Sequence, residues 1–308
     1  MNHQHTDGQR GHELLTALGR DPSAPIDQLN LDGCHLTALP ESLRRCTDAR
    51  VLSVYDNELT AVPDWVWSLT RLTTLNLSAN RLTELSPELG RLTALEMLDL
   101  GHNGLNELPD VFSELRGLKF LYLSNNRLTG LPASLRHLDS LTYLNVTDNA
   151  LTGLPEWLGE LGSLVEVRAY NNVLSSLPAS LGDLTELREL HAMNNRLGGV
   201  RPELGQCRHL SRLMLQGNAL TTLPGEIGQL GMLAELDLRF NALSELPAEV
   251  GELEGLRVLD LRANRLTTVP EGLAFLSRLE KLDLRWNRLS SLPPAFQRLK
   301  ERGCLIYT

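Results

Sequence analysis

The chain has 308 residues, more than one compact core usually covers, so length alone would favour two domains, whereas the repeat described below favours one elongated domain. Its formal net charge of −9 argues against a sequence-independent nucleic-acid-binding protein, because such a protein needs a basic surface to neutralise phosphates. No run of about 18 consecutive apolar residues occurs, so we expect no membrane-spanning segment and no membrane partner.

The first 25 residues are predicted to form an N-terminal cap. Within them, residues 12–19 have the pattern of a short amphipathic helix, with Leu14, Leu15 and Leu18 placed to cover the first core layer. This region lacks the basic segment and apolar segment of a secretory signal peptide. The four cysteines show no regular spacing, so a reducing, cytoplasmic environment is expected.

A 23-residue repeat follows and accounts for residues 26–301. Its most regular position is an asparagine, found at Asn57, Asn80, Asn103, Asn126, Asn149, Asn172, Asn195, Asn218, Asn241, Asn264 and Asn287. Cys34 holds the same position one unit earlier, which makes twelve units without an insertion or deletion. The unit reads LxxLxLxxNxLxxLPxxLgxLxx, and a period of this length is the signature of a solenoid.

Each part of the repeat predicts a local structure. The L-x-L core has the period of a β-strand, with its leucines facing inward and the residues between them facing out. The asparagine is placed to satisfy backbone groups of the following turn, so we interpret its column as structural. A proline followed by leucines three apart, as at Pro132, predicts a short helical or 3-10 turn. Parallel stacking of such units predicts an α/β solenoid.

Residues 302–308 are predicted to form a C-terminal cap strand. If the 23-residue register continues, Leu305 and Tyr307 occupy its inward positions.

The repeat resembles the leucine-rich repeat family over about nine-tenths of the chain. Its form is similar to the intracellular 23-residue LPxxLgxL type, found in Ras-pathway scaffold proteins, Scribble-like proteins and many bacterial proteins. The resemblance implies an open horseshoe, with a parallel sheet on the concave side and short helical or 3-10 turns on the convex side. It also implies a protein partner, for example a small GTPase or a phosphatase, without selecting one.

No catalytic or metal-binding motif emerges from the rest of the sequence. Cys46 and Cys207 stand where other units have leucine, so core filling is the favoured interpretation. The histidines fall in different columns and make no helical zinc motif, and no phosphate-binding loop or nucleophile elbow occurs. We therefore predict no enzyme activity, no cofactor and no metal site.

The candidate binding residues lie six, four and two positions before each repeat asparagine, where strand residues face outward. From the fifth to the ninth unit these positions gain aromatic, methionine and charged residues, which are enriched in binding hot spots. The predicted partner-binding residues are Phe120, Tyr122, Tyr143, Arg168, Tyr170, His191, Met193, Arg212 and Met214. Phe120, Tyr122, Tyr143 and Tyr170 are expected to form a connected patch, although such aromatics also occur as simple cover for the backbone.

The last three repeats carry aspartate and arginine at the corresponding outward positions, in the pairs Asp237 with Arg239, Asp260 with Arg262, and Asp283 with Arg285. These columns are interpreted as charges that compensate one another rather than as a recognition strip.

The favoured function is a non-enzymatic scaffold that binds a protein partner on its concave face in intracellular signalling, with the chain a monomer. The alternative is a bacterial effector that is delivered into a host cell and binds a host protein there. An enzyme and an engineered solenoid are two further possibilities. The varied outward residues favour a natural protein over a designed one.

Overall fold

A computed structural model describes residue 9, residues 11–16 and residues 26–308. The chain divides between Ala150 and Leu151 into two compact units. Residues 11–16 are helical, in agreement with the first part of the helix predicted over 12–19, whereas Leu18 lies outside the described residues. That residues 1–25 cap the first repeat stays a prediction.

In the described part of the first unit, six short strands pair side by side, in parallel and in chain order. Residues exactly one repeat apart face each other, as in the pairing of Phe120 with Tyr143. The strands are β1 Gln28–Asn30, β2 Val51–Ser53, β3 Thr74–Asn76, β4 Met97–Asp99, β5 Phe120–Tyr122 and β6 Tyr143–Asn145.

The second unit contains seven strands with the same parallel pairing in chain order. They are β7 Glu166–Arg168, β8 Glu189–His191, β9 Arg212–Met214, β10 Glu235–Asp237, β11 Val258–Asp260, β12 Lys281–Asp283 and β13 Leu305–Tyr307. In β7 to β12 the middle residue is buried, as the alternation of a half-buried strand requires.

Short 3-10 turns form the other side of each unit, where the prolines predicted them. Pro132, for example, holds φ −66° and ψ 148° and accepts the first turn hydrogen bond, from Leu135 N at 3.3 Å. In the first unit the turns are Glu41–Arg45, Asp64–Ser68, Pro87–Arg91, Phe112–Glu114 and Ala133–His137. In the second they are Glu156–Glu160, Ala179–Asp183, Pro202–Gln206, Gly225–Gln229, Ala248–Glu252, Glu271–Phe275 and Pro294–Phe296.

The repeat asparagines form a hydrogen-bonded column, as the sequence predicted. The Asn126 Oδ1 accepts from Leu105 N at 3.1 Å, and its Nδ2 donates to Leu100 O at 3.0 Å and Leu123 O at 3.1 Å. Each such side chain therefore satisfies backbone groups that neither a strand nor a turn would reach. The column belongs to the frame of the solenoid.

The C-terminal strand corrects the sequence-based register. Ile306, not Leu305 or Tyr307, pairs with the inward-facing Leu282, and Leu305 and Tyr307 are 57% and 39% exposed. The predicted inward positions were wrong by one residue because the last unit is one residue longer: Lys281 pairs with Leu305, 24 residues away. An α-helix, Gln297–Glu301, and a left-handed Gly303 at φ 87° take up the extra residue. Across residues 11–16 and 26–308, no helix has both the length and the apolar character to cross a bilayer.

Candidate functional site

The strands present one solvent-facing side in each unit, here called the outer face. It consists of the residues six, four and two positions before each repeat asparagine, and it is where the sequence placed the binding residues. The first unit holds Phe120, Tyr122 and Tyr143, and the second holds Arg168, Tyr170, His191, Met193, Arg212 and Met214. All nine are exposed or half-buried, so each offers surface to a partner.

In the first unit, three aromatic side chains form what we call the tyrosine patch: Phe120, Tyr122 and Tyr143. The ring centroids of Tyr122 and Tyr143 lie 4.9 Å apart with a tilt of 40°, within the range of favourable aromatic pairs. Phe120 pairs in register with Tyr143 and is 40% exposed. The spacing of parallel strands brings these rings from neighbouring repeats together, as the sequence predicted for these three residues.

In the second unit, five charged or titratable residues of β7 to β9 form what we call the ionic cluster: Glu166, Arg168, Glu189, His191 and Arg212. Arg168 Nε donates to Glu166 Oε1, and His191 Nε2 lies 3.0 Å from Glu189 Oε2. Arg212 Nη1 donates to the other oxygen of Glu189 at 3.3 Å. The two guanidinium groups thus flank two carboxylates, with the imidazole beside both.

The Glu189 carboxylate of the ionic cluster is held in its charged form. For Glu189, partial burial would raise the pKa, but the hydrogen bond with His191 and the positive charge of Arg212 outweigh it and lower the pKa. The side chains of Glu166, Glu189 and His191 are 20%, 26% and 14% exposed. These two glutamates were not among the predicted site residues, although they occupy outward positions. Each contacts a residue two positions further along its own strand and a second residue of the next repeat, and motif spacing within one segment does not detect the second contact.

The remaining predicted residues of the second unit are less polar. Met214 pairs in register with His191, while Tyr170 and Met193 lie two residues after Arg168 and His191 on the outer face. All three are half-buried. Because Tyr170 belongs to the second unit, the structure supports the tyrosine patch only for the three rings of the first.

Farther along the second unit, Asp237, Arg239, Asp260, Arg262, Asp283 and Arg285 form what we call the Asp–Arg strip. Arg262 Nη2 lies 2.6 Å from Asp260 Oδ2 and its Nε lies 3.4 Å from Asp283 Oδ2. Arg285 Nη2 lies 2.6 Å from the same Asp283 oxygen. The arginines are therefore engaged by neighbouring aspartates, which supports the interpretation of the strip as charges that compensate one another.

The two ends of this strip differ electrostatically. Burial raises the pKa of Asp237 to about 6, and the negative charge of Asp260 acts in the same direction. The hydrogen bond from Arg239 N and the charges of Arg239 and Arg262 oppose this rise without cancelling it. Burial also acts on Asp283, but hydrogen bonds and charge from Arg285 and Arg262 prevail and lower its pKa. The hydrogen bonds and charges around Asp283 thus keep it ionised, whereas burial and the charge of Asp260 prevail at Asp237.

A cation–aromatic group at the end of the strip was not predicted. The Arg285 guanidinium carbon lies 5.1 Å from the ring centroid of Tyr307 and 5.7 Å from that of Trp286. The contact with Tyr307 depends on the outward register of β13, which the uniform period did not predict.

The cysteines show no nucleophilic character. All four are buried, and burial raises the pKa of each thiol. Cys207 donates from Sγ to Leu181 O at 3.0 Å, and burial raises its pKa to about 12, so it stays a thiol at neutral pH. Its place in the core matches the predicted role as a leucine replacement.

Family models place the chain among leucine-rich repeats. The matching descriptions are "Leucine rich repeat" over residues 70–128, "Leucine Rich repeats (2 copies)" over 116–157, "Leucine-rich repeat region" over 201–283 and "Leucine Rich Repeat" over 278–299. No match to the chain was found among curated proteins compared by sequence.

Solved structures of similar fold come from bacteria and plants. A leucine-rich repeat protein of Leptospira interrogans is 31% identical, with a TM-score of 0.62, over 89% of this chain and 82% of that one. YopM of Yersinia enterocolitica is 28% identical, with a TM-score of 0.72, over 92% of this chain and 60% of that one. The plant peptide hormone receptor RGFR1, solved in complex with RGF2, is 29% identical with a TM-score of 0.80, over 91% of this chain. This chain spans 46% of the receptor chain. These comparisons confirm the predicted fold class of parallel strands and short 3-10 turns.

Proposed function

This chain belongs to the leucine-rich repeat family, and we propose that it is a non-enzymatic interaction protein that holds a protein partner on its outer face. The leucine-rich repeat fold generally mediates protein–protein interaction, and its domains are typically non-enzymatic. The outer face corresponds to the concave side that the family resemblance implies.

The observation that carries the proposal is the tyrosine patch. Tyrosine and phenylalanine bring large contact areas with little conformational entropy to lose, and aromatic residues dominate binding hot spots. Phe120 is exposed and the Tyr122–Tyr143 pair is half-buried, so the rings are fixed by each other yet still present an edge to solvent. A partner that covers this patch removes apolar surface from water at about 25 cal/mol per Å².

The ionic cluster supplies a second kind of contact. Its charges are paired within the protein, so binding does not require a partner to neutralise an isolated charge. Such groups favour a correctly matched partner more than they increase affinity, because each pair exchanges one set of interactions for another. We therefore assign affinity mainly to the tyrosine patch and specificity mainly to the ionic cluster.

A protein or peptide ligand agrees with a similar structure. RGFR1 was solved in complex with RGF2 and shares 29% identity with this chain. The unbroken 23-residue register from β1 to β6 and from β7 to β12 favours the intracellular 23-residue subtype. On this proposal the chain is a cytoplasmic monomer and acts as a scaffold in signalling.

Similarity to bacterial leucine-rich repeat proteins favours the second candidate, an effector delivered into a host cell. The relevant relatives are the Leptospira protein and YopM, at 31% and 28% identity. A reporter fused to residues 1–25 tests it directly. Export of that reporter from a secretion-competent bacterium supports an effector, and retention in the producing cell contradicts it.

Capture of the partner from the native cell or a suspected host tests the main proposal. The bait is the full chain, compared with a triple variant in which Tyr122, Tyr143 and Arg168 are alanine. The captured protein identified by mass spectrometry is expected to be lost from the triple variant, while thermal unfolding stays nearly unchanged. Equal capture by both baits would contradict the placement on the outer face.

Two split variants then separate the patches, namely Tyr122→Ala with Tyr143→Ala, and Arg168→Ala with Arg212→Ala. The tyrosine variant is expected to lose affinity for the captured partner by about 30-fold to 1,000-fold, which corresponds to about 2 to 4 kcal/mol, the range for hot spots. The arginine variant is expected to slow association and to weaken its dependence on salt.

A further inference from the structure

The outer face of the second unit brings together three side chains with metal-ligating atoms. Oxygens of Glu166 and Glu189 and a ring nitrogen of His191 all lie within 4.8 Å of one another. His191 Nε2 is 3.0 Å from Glu189 Oε2 and 3.9 Å from Glu166 Oε1. No short sequence motif marks this set, because Glu166 and Glu189 belong to successive repeats and meet only through strand pairing.

The distances fit one small divalent cation. In a tetrahedral zinc site with bonds of about 2.0 to 2.2 Å, ligand atoms lie roughly 3.4 Å apart. The observed separations therefore require only small side-chain rotations. An imidazole with two carboxylates is also a donor set suited to zinc, and three protein ligands leave a fourth position open.

The charges of the surrounding residues favour a cation as well. Glu166 and Glu189 face each other directly across β7 and β8, where like charges destabilise a sheet. Arg212 is shared between Glu189 and Glu235, at 3.3 Å and 3.4 Å. A cation bound between the two facing carboxylates of Glu166 and Glu189 offsets their repulsion.

The arginines are compatible with this role because a carboxylate has two oxygens. The two oxygens of Glu189 already have different partners: Oε1 accepts from Arg212, and Oε2 faces His191. In Glu166, Oε1 accepts from Arg168, and rotation of the terminal torsion, which is soft, presents the other oxygen. The guanidinium groups then orient the ligating carboxylates from outside, as the supporting groups of metal sites do.

We propose that Glu166, Glu189 and His191 form a binding site for one divalent transition-metal ion, with Zn²⁺ as the expected occupant. The site goes beyond the proposed scaffold function and does not depend on a protein partner, so it is tested on the chain alone.

The test is calorimetric titration of the full chain with Zn²⁺. Because His3, His5 and His12 offer competing ligands, the parent carries glutamine at these three positions. One Zn²⁺ per chain is expected, together with an increase in Tm when Zn²⁺ is added. Absence of a one-site binding isotherm in this parent overturns the proposal.

Matched variants locate the site. His191→Gln and Glu189→Gln are each expected to weaken Zn²⁺ binding more than 10-fold and to remove the Zn²⁺-dependent rise in Tm. His209→Gln changes a histidine of the same unit that hydrogen-bonds Thr185 O, and Glu235→Gln removes the same charge without removing a proposed ligand. Both controls are expected to bind within about 3-fold of the parent, less than the 10-fold that 1.4 kcal/mol produces. If Glu189→Gln and Glu235→Gln weaken Zn²⁺ binding equally, the ion is attracted by negative charge in general rather than bound by specific ligands. That result would overturn the proposed site.

Each variant is checked by its circular dichroism spectrum and its Tm without metal, because His191 and Glu189 are partly exposed and their replacement is expected to leave the fold intact. If one of these variants unfolds, the other and Glu166→Gln still test the same ligand set. Wild-type affinity in all the folded ligand variants would contradict the proposal.

Discussion

The outer faces of the two units have the same frame but different chemistry. In the first, the tyrosine patch joins β5 and β6 through a ring pair 4.9 Å apart. In the second, the ionic cluster joins β7 to β9 through ion pairs between glutamate, arginine and histidine. The difference shows that the repeat determines which residues face outward but not their residue types. Repeats of the same backbone structure can therefore present apolar side chains in one place and charged side chains in another.

Substitution of the repeat asparagines tests the backbone structure that both units share. These substitutions are expected to have the largest effects on the free energy of unfolding. Asn126→Ala in the first unit and Asn218→Ala in the second each leave backbone groups without partners, including Leu105 N and Leu197 N. Each substitution is expected to lower the free energy of unfolding by about 3 kcal/mol. Chemical denaturation provides the measurement.

The control for this comparison is Asn145→Ala, an outer-face asparagine whose Oδ1 accepts one local hydrogen bond, from Thr147 N. Its loss is expected to cost less than about 1 kcal/mol. Clearly unequal losses for Asn126→Ala and Asn218→Ala would show that the two units do not depend on the column equally.

Much of this arrangement was predictable from the repeat. The outward position of Tyr122 and Tyr143 follows from strand alternation. Their contact is diagonal, because Tyr143 pairs in register with Phe120, and long side chains on neighbouring strands can make such contacts. The register of Ile306 was not predictable in this way, because the helix Gln297–Glu301 replaces part of a 3-10 turn and adds a residue. The meeting of Glu166 with His191 also depends on side-chain rotamers, which the repeat pattern does not specify.

The Asp–Arg strip of the second unit predicts two opposite pH dependences. The raised pKa of Asp237, from an ordinary value of 3.8 to about 6, makes the folded state hold a proton that the unfolded state has lost. Wild type should therefore lose stability relative to Asp237→Asn as pH rises from about 4 to above 6. The loss amounts to about 2 to 3 kcal/mol.

Asp283 should behave in the opposite sense, since its folded pKa is lowered. Its contribution is present above the ordinary pKa and disappears as pH falls through the folded value, so Asp283→Asn costs most at neutral pH. Denaturation of both variants and wild type from about pH 2 to 7.5 measures the difference, because the folded pKa of Asp283 lies below its ordinary value of 3.8. Slopes of the same sign would refute the contrast between the two ends of the strip.

The smallest expected effect concerns the tyrosine patch itself. A double-mutant cycle with Tyr122→Leu and Tyr143→Leu is expected to give a coupling of about 1 kcal/mol in the free energy of unfolding. Tyr55, an exposed aromatic residue of the first unit, gives the matched control when combined with Tyr143→Leu, for which no coupling is expected. A coupling near zero for Tyr122 with Tyr143 would mean that the rings do not support each other.

Site-specific photo-cross-linking tests the central claim most directly. The photoreactive residue p-benzoylphenylalanine replaces Tyr143 or Met214 on the outer faces, or Phe275, which is 60% exposed at the end of a 3-10 turn. Cross-linking is carried out in the native cell. We predict one cross-linked protein from positions 143 and 214 and none from position 275, with the product lost when Tyr122→Ala is added to the position-143 probe. A product formed only from position 275 would contradict binding on the outer face.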